Sequence, residues 1–260
     1  MTASPALLET FNITKSFRLD NASVEAVKNI SFTIAPGECL GLVGASGCGK
    51  STLAQILMGI TEADSGTVLF DEQAIDFNDT DTRKNYYRNV QMVFQNPLVS
   101  FHPRKTIGTA IMLPLLNYGY TQPEATEKLA QLLTEVGLTQ QHAAKFPHQL
   151  SGGECQRAAI ARAISIEPKL LICDEITSAL DMQIQAEIVQ LLLNLQAETK
   201  MSLFFISHDI VLVQELCHRL LIMRSGAIIE SGTAHEIITA PQQEYTKTLI
   251  VAALNLTINR

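Results

Sequence analysis

Apolar and polar positions change in short runs over the first part of the chain. LLETFNI, EAVKNISFTI and ECLGLVG are rich in apolar and β-branched residues and are separated by turn residues such as APGE, so this spacing predicts short strands. The last of them runs straight into GASGCGKSTLAQILMGI. Strand, glycine loop and helix in that order open a parallel α/β sheet. From about Pro97 to Glu154 the texture turns helical. In TQPEATEKLAQLLTEVGL, Thr121 caps a helix, Glu124 closes the capping box and Pro123 suits the first turn, while Ala125, Leu129, Leu132, Leu133 and Val136 share one face. Strand-like KLLICDE and SLFFISHD then return on either side of the amphipathic MQIQAEIVQLLLNLQAE. The pattern predicts an α/β core over residues 1–94 and 165–238, split by a helical subdomain over 95–164 and followed by a short separate tail over 239–260. There is no internal repeat and no low-complexity linker.

Length and composition narrow the class. The 260 residues suffice for a large buried core, and 47% hydrophobic with 17% charged residues is the composition of a soluble globular protein. A formal net charge of −7 argues against a nucleic-acid-coating surface. No run of about 18 apolar residues spans a bilayer, and the start MTASPALLETF lacks the basic end and apolar stretch of a signal peptide, so the expected compartment is the cytoplasm. The cysteines Cys39, Cys48, Cys155, Cys173 and Cys217 are scattered, without C-x-x-C spacing, and are read as reduced, small apolar residues.

The chemistry begins in the glycine loop. Gly44-Ala45-Ser46-Gly47-Cys48-Gly49-Lys50-Ser51 fits G-x-x-x-x-G-K-[ST] between a strand and a helix, the context that the motif requires. The glycines let backbone N–H groups close on a phosphate, the helix start adds partial positive charge, Lys50 reaches the terminal oxygens, and Ser51 is suited to ligate Mg²⁺. Thr52 extends the same stretch. The strand LLICDE ends in Asp174 and Glu175, one carboxylate for the metal side and one as general base for the attacking water. His208, after FFIS, belongs to the same sheet edge, where ligands of open α/β sheets bind, and Gln95 in MVFQNP is a further candidate. A second anion-suited turn, LSGGECQR, opens a helix about a hundred residues downstream.

Taken in order, GASGCGKST, VFQNP, LSGGECQR, LLICDE, SALD and FFISHD resemble the phosphate loop, glutamine loop, signature, acidic strand, aspartate loop and switch histidine of the ATP-binding cassette transporter ATPases. The resemblance covers residues from about 44 to 209. It implies a P-loop NTPase core of ABC type with an antiparallel β subdomain and an inserted α-helical subdomain, binding ATP and Mg²⁺. It further implies a head-to-tail pair of cassettes in which Ser151, Gly152, Gly153 and Glu154 of one face the nucleotide held by Lys50 of the other. By the same resemblance Gln95 contacts the metal alongside Ser51 and Asp174, Asp181 signals between subunits, Glu175 and His208 are catalytic, and Phe17 in TKSF stacks on adenine, with Phe11 nearby. One departure stands out: the family usually has proline after the acidic pair, and this chain has Ile176.

The flanks VQMVFQNPLVSFHPRKTIG and APQQEYTKTLIVAAL look like those of the ATPases of peptide and nickel importers. That branch implies two membrane permease subunits, a second ATPase subunit in a heterodimeric or homodimeric motor, and an extracytoplasmic solute-binding protein. The expected place is peripheral, at the cytoplasmic face of the cell membrane, and the solute stays open among peptide, nickel and a metal chelate. A soluble ABC ATPase acting on ribosomes or DNA is the competing reading; such proteins usually carry two cassettes or a long coiled-coil insertion, and the acidic balance disfavours nucleic acid. The motor of an exporter is a third, set against the HPRK and YTKT segments.

Overall fold

Two sheets organise the chain, which is described here from a computed structural model covering residues 5–19 and 22–258. The first is antiparallel, in the order β2-β1-β4-β5, with β1 at Leu8–Leu19, β2 at Ala22–Ile34, β4 at Ser65–Phe70 and β5 at Gln73–Ala74. The second has the order β10-β9-β3-β8-β7-β6. Its strands are β3 (Cys39–Val43), β6 (Val90–Val93), β7 (Leu170–Asp174), β8 (Ser202–Ser207), β9 (Arg219–Arg224) and β10 (Ala227–Thr233). All its neighbours pair in parallel except β9 with β10.

Strands β3, β7 and β8 are buried along their whole length. That is why they read as unbroken apolar runs, as expected for parallel strands covered on both faces. Alternate residues feed opposite faces. Cys39, Val43, Leu171, Cys173, Leu203 and Phe205 join one core, and Leu40, Leu42, Leu170, Ile172, Phe204 and Ile206 join the other. The second core takes in α1 (Lys50–Leu57), Tyr86 of α2 (Thr80–Asn89) and the inner face of the antiparallel sheet, where Phe32 stacks on Phe204 at 5.3 Å.

The first core is shared with the inserted helices α3 (Ile107–Asn117), α4 (Gln122–Glu135) and α5 (Gly152–Ile164), and with α6 (Met182–Thr199). Helix α4 forms as its pattern requires. Thr121 N–H and Oγ1 both donate to Glu124 Oε2 at 2.7 Å, and Ala125, Leu129, Leu132, Leu133 and Val136 are all buried. Burying such a leucine stabilises by roughly 1.5–3 kcal/mol relative to leaving it exposed, so tertiary packing holds this helix more than its cap does. After β8 come α7 (Ile210–Leu216) and, after β10, α8 (Ala234–Thr239).

Of residues 239–260, expected as a separate piece, 259 and 260 lie outside the described residues and the others are not separate. They hold α9 (Glu244–Ile258), which docks on the body of the molecule. Ile250 is buried in the first core, and the Glu230 carboxylate of β10 accepts from Gln242 N–H at 2.7 Å, Gln243 N–H at 3.2 Å and the Thr246 hydroxyl. A buried threonine and a distant carboxylate leave no periodic trace, so the pattern alone reads as a tail. Among the described residues no helix is long and apolar enough to cross a membrane.

Burial pushes the Glu230 carboxyl up, but the bonds from Thr246, Gln242 and Gln243 outweigh it and hold the group below the ordinary glutamate range. A lowered folded value means stability that is complete above the unfolded value, about 4.3, and is lost as pH falls through the folded one. Glu230→Gln should therefore cost about 1 kcal/mol near neutrality, at the low end because the pair is partly solvated. The deficit against the parent chain should shrink below about pH 4. Thermal unfolding of both chains from pH 7 to 3 measures it, and a gap constant across that range would remove the carboxylate charge from the account.

Candidate functional site

Strand β3 delivers the glycine loop at the carboxyl edge of the second sheet, and α1 begins at Lys50. Gly49 has φ +111, and a Cβ there would lie 2.0 Å from the Ala26 carbonyl oxygen. Only glycine fits that turn. Lys50 is 3% exposed; its Nζ donates to the carbonyls of Gly44 at 2.8 Å and Ala45 at 3.2 Å and lies 3.1 Å from Glu175 Oε1. Ser51 Oγ donates to Asp174 Oδ1 at 3.0 Å. Thr52 completes the wall of a cleft of about 270 Å³, with Ser46, Gly47, residues 49–51, Ala26, Gln95 and Glu175. Cys48 turns inward instead; it is buried, and burial pushes its thiol up, so it packs and does not ionise.

The acidic strand ends beside this loop. Asp174 is 5% exposed, and burial drives its carboxyl up against the opposing effect of the Ser51 hydrogen bond. Glu175 sits at φ +48, a left-handed conformation held by its N–H bond to the Ile206 carbonyl at 2.9 Å. Proline at position 176 would restrict the residue before it to extended backbone. Ile176 imposes no such limit and is instead buried in the first core, anchoring the turn by packing.

Glu175 is where the site converges. Its Oε1 meets Lys50, while its Oε2 accepts from Gln95 Nε2 at 3.2 Å and lies 3.6 Å from His208 Nδ1. Gln95 Nε2 also lies 3.3 Å from Ser178 Oγ, so the amide nitrogen of Gln95 is the atom turned toward this cluster. Asp209 caps α7 through Val211 and Leu212 N–H, which fixes the turn carrying His208. The structure thus brings Lys50, Ser51, Gln95, Asp174, Glu175 and His208 to one edge. Phe17 is 39% exposed, with the Lys15 ammonium 5.6 Å from its ring centre; it pairs with Val24, two residues from Ala26 of the cleft wall. Phe11 pairs with Thr67 of β4 instead.

The Ser-Gly-Gly turn stands apart from this cleft, none of whose lining residues it supplies. Ser151 caps α5: its Oγ accepts from Glu154 N–H at 3.2 Å, and its own N–H donates to Glu154 Oε2 at 2.8 Å. Glu154 Oε1 is 3.0 Å from His142 Nε2, so its carboxylate serves the cap and His142. A Cβ on Gly152 would meet only Leu180 Cδ2, at 3.4 Å; one on Gly153 would be 2.9 Å from Ile184 Cγ2. Asp181 likewise caps its own helix, accepting from Ile184 N–H at 3.0 Å. Pattern reading missed Ser178, and it missed Tyr245, whose hydroxyl accepts from Ala45 N–H at 3.0 Å. Ser178 opens SALD and Tyr245 lies in YTKT, but neither segment's resemblance gives these side chains a role.

Chemically, the cleft offers a buried ammonium, backbone N–H groups at a helix start, and an oxygen pair from Ser51 and Asp174. Hydroxyl and carboxylate oxygens are donors suited to a hard divalent cation such as Mg²⁺. Among the described residues no group of three or more His, Cys, Asp or Glu side chains could hold a metal by itself. Mg²⁺ is commonly held by one or two protein oxygens together with phosphate.

Residues 27–178 match the family described as ABC transporter. The glutathione import ATP-binding protein GsiA of Pectobacterium atrosepticum is 43% identical over 230 residues, which is 88% of this chain but 37% of that protein. The oligopeptide transport ATP-binding protein OppF of Haemophilus influenzae is 41% identical over 257 residues, 95% of this chain and 77% of that one. Among solved structures, the ATP-binding cassette MJ0796, a dimer bound to ADP and Pi, superposes with TM-score 0.80 at 28% identity, covering 87% of this chain and 98% of that one. CbiO1 of Clostridium perfringens, part of the cbiONQ ABC transporter complex, gives 0.79 at 27% identity over 98% and 96%. The chain thus spans little more than a third of the glutathione-import relatives it matches, and within that span a P-loop core, an antiparallel sheet and an inserted helical region fold as an ABC cassette: the chain belongs to the ABC transporter family.

Proposed function

We propose that this chain is the ATP-hydrolysing motor subunit of an ABC importer whose solute is of peptide type, acting at the cytoplasmic face of the membrane. The observation that carries the chemistry is the convergence of Lys50, the Ser51–Asp174 pair and Glu175 on one cleft. The choice of solute follows relatives named for glutathione and oligopeptide transport, neither of which points to nickel.

In this reading the ATP phosphates enter against the N–H groups of the loop and draw Lys50 toward them. Glu175 Oε1 then loses its partner and turns to water, while His208 stays beside Oε2. Freed of the ammonium, the carboxylate oxygen is open to accept a proton from water. Ser51, Asp174 and Gln95, its amide turned to present Oε1 in place of Nε2, would hold Mg²⁺, which when bound neutralises phosphate charge and orients the terminal group. Exposed Phe17 fits adenine stacking.

The signature is assigned to the partner cassette. Its turn lies outside the cleft of its own chain, and the Ser151 oxygen, already accepting from Glu154, keeps its proton to donate. Two such chains, or this one with a second ATPase subunit, would close head to tail around nucleotide. The dimeric cassette bound to ADP and Pi is a precedent for paired assembly. Leu98, Val99, Leu113 and Leu116 expose apolar surface on the segment after Gln95 and on α3. Exposed apolar surface of this kind suits docking of membrane permease subunits, which would receive solute from an extracytoplasmic binding protein.

Glu175→Gln should slow hydrolysis by about 10² to 10⁴ while Mg·ATP still binds, so an ATP-held dimer accumulates. Single-turnover hydrolysis and size exclusion with ATP measure both, and undiminished hydrolysis with no ATP-stabilised dimer would reduce Glu175 to a strand-end carboxylate. Gly152→Asp should leave ATP binding by the isolated chain intact yet stop turnover in the assembled transporter, because a carboxylate there faces the partner's terminal phosphate. Loss of ATP binding by the isolated variant would place the signature in cis.

Asp174 separates stability from function. Its folded pKa is raised, so at neutral pH the ionised carboxylate opposes folding, and this cost fades as pH falls. Asp174→Asn keeps an acceptor for Ser51 and removes the desolvated charge. It should raise the unfolding midpoint of the nucleotide-free chain while lowering Mg²⁺-dependent turnover by on the order of 10- to 100-fold. Calorimetric unfolding beside an ATPase assay decides, and a lower midpoint would contradict the account.

A further inference from the structure

The phosphate loop is gripped from outside by two elements that carry none of the cassette motifs. In the turn between β9 and β10, Gly226 N–H donates to the Cys48 carbonyl at 2.9 Å. In the first turn of α9, the Tyr245 hydroxyl accepts from Ala45 N–H at 3.0 Å. The Arg224 guanidinium lies over the Tyr245 ring, 4.9 Å from its centre, and Glu230 secures the start of α9 through Gln242, Gln243 and Thr246.

The Gly44 carbonyl and the Ala45 N–H belong to one peptide group, which is planar and moves as a unit, its two polar ends pointing opposite ways. Lys50 Nζ holds the carbonyl end at 2.8 Å, from inside the loop. Tyr245 holds the N–H end from outside. Rotating this peptide would break both bonds together, so the two contacts fix one another. Ring packing does not require the hydroxyl; a phenylalanine would fill the same space under Arg224. The hydroxyl therefore has a task that packing leaves unexplained.

We propose that Tyr245 is a positioning residue for nucleotide binding. It sets the Gly44–Ala45 peptide, that peptide sets the rest position of Lys50, and the affinity of the loop for ATP phosphates depends in this way on the docking of α9. The proposal rests on the reading of the cleft as an ATP site. It joins the last helix of the chain to the first motif, over a sequence separation of 200 residues.

The test uses the full chain as wild type, Tyr245→Phe, Glu230→Gln and the double variant. Mg·ATP titration calorimetry and steady-state ATPase assays are read beside thermal unfolding of the nucleotide-free proteins. Losing one hydrogen bond that orients the loop should weaken Mg·ATP binding and raise KM in Tyr245→Phe about three- to tenfold. Both kcat and the unfolding midpoint should change little, a split that a merely structural role would not give. Glu230→Gln loosens α9 while keeping the hydroxyl, so it should shift affinity in the same direction by less, and the double variant should be no weaker than Tyr245→Phe, since both act along one path. Equal affinity of Tyr245→Phe and wild type would overturn the proposal, as would an affinity loss that only matches a loss of folded protein. Additive losses in the double variant would overturn it too. A wild-type chain that binds no Mg·ATP would overturn the ATP reading of the cleft as well, which keeps the two failures distinct.

Discussion

One buried ammonium group dictates the architecture of the site. Lys50 is almost wholly removed from water, and a desolvated cation is tolerated only where its hydrogen bonds and a counter-charge are supplied. The loop supplies two carbonyls, and the counter-charge, Glu175, comes from the end of a different strand. Strands β7 and β3 are separated by β8, so the register of three parallel strands decides whether that carboxylate arrives. Once there, it gathers Gln95 from beyond β6 and His208 from beyond β8. The same ammonium is what a phosphate entering the proposed site would claim, so a single ion pair ties Lys50 to the carboxylate proposed as the base.

The capping turn at Ser151 solves a local problem and leaves a surplus. A helix start must satisfy its own N–H groups, and Ser151 with Glu154 does so reciprocally. The hydroxyl proton takes no part in that exchange, and Gly152 presents no side chain in front of it. In the proposed assembly, a motif that is ordinary as a cap serves as an anion site, because a second chain reaches the unspent donor.

Local order was legible in the residues. The box at Thr121 and Glu124, the apolar face of α4, the strand–loop–helix at Lys50 and the unbroken apolar strands all follow from spacing, because each is satisfied by neighbours in sequence or by simple burial. What stayed hidden depends on distant partners. The hydroxyl of Tyr245 and the carboxylate of Glu230 owe their roles to where other strands end, and neither the importer-like EYTKT nor AIIESGT tells which atoms they meet. The cleft residues were recognisable as a set through their motifs, but the sharing of Glu175 between Lys50, Gln95 and His208 required coordinates, as did the burial that raises Asp174.

The strand order carries a consequence for the history of each molecule. Strand β3, which launches the phosphate loop, lies between β8 and β9, and both neighbours come from beyond residue 200. As the chain leaves the ribosome, the loop is made early but has nothing to lean on until most of the protein has followed. Contacts so far apart in sequence form late. A nascent chain that ends before residue 200 therefore holds the loop's sequence without either strand that flanks β3, and the edge that carries the cleft is completed only when β8 and β9 have paired with it.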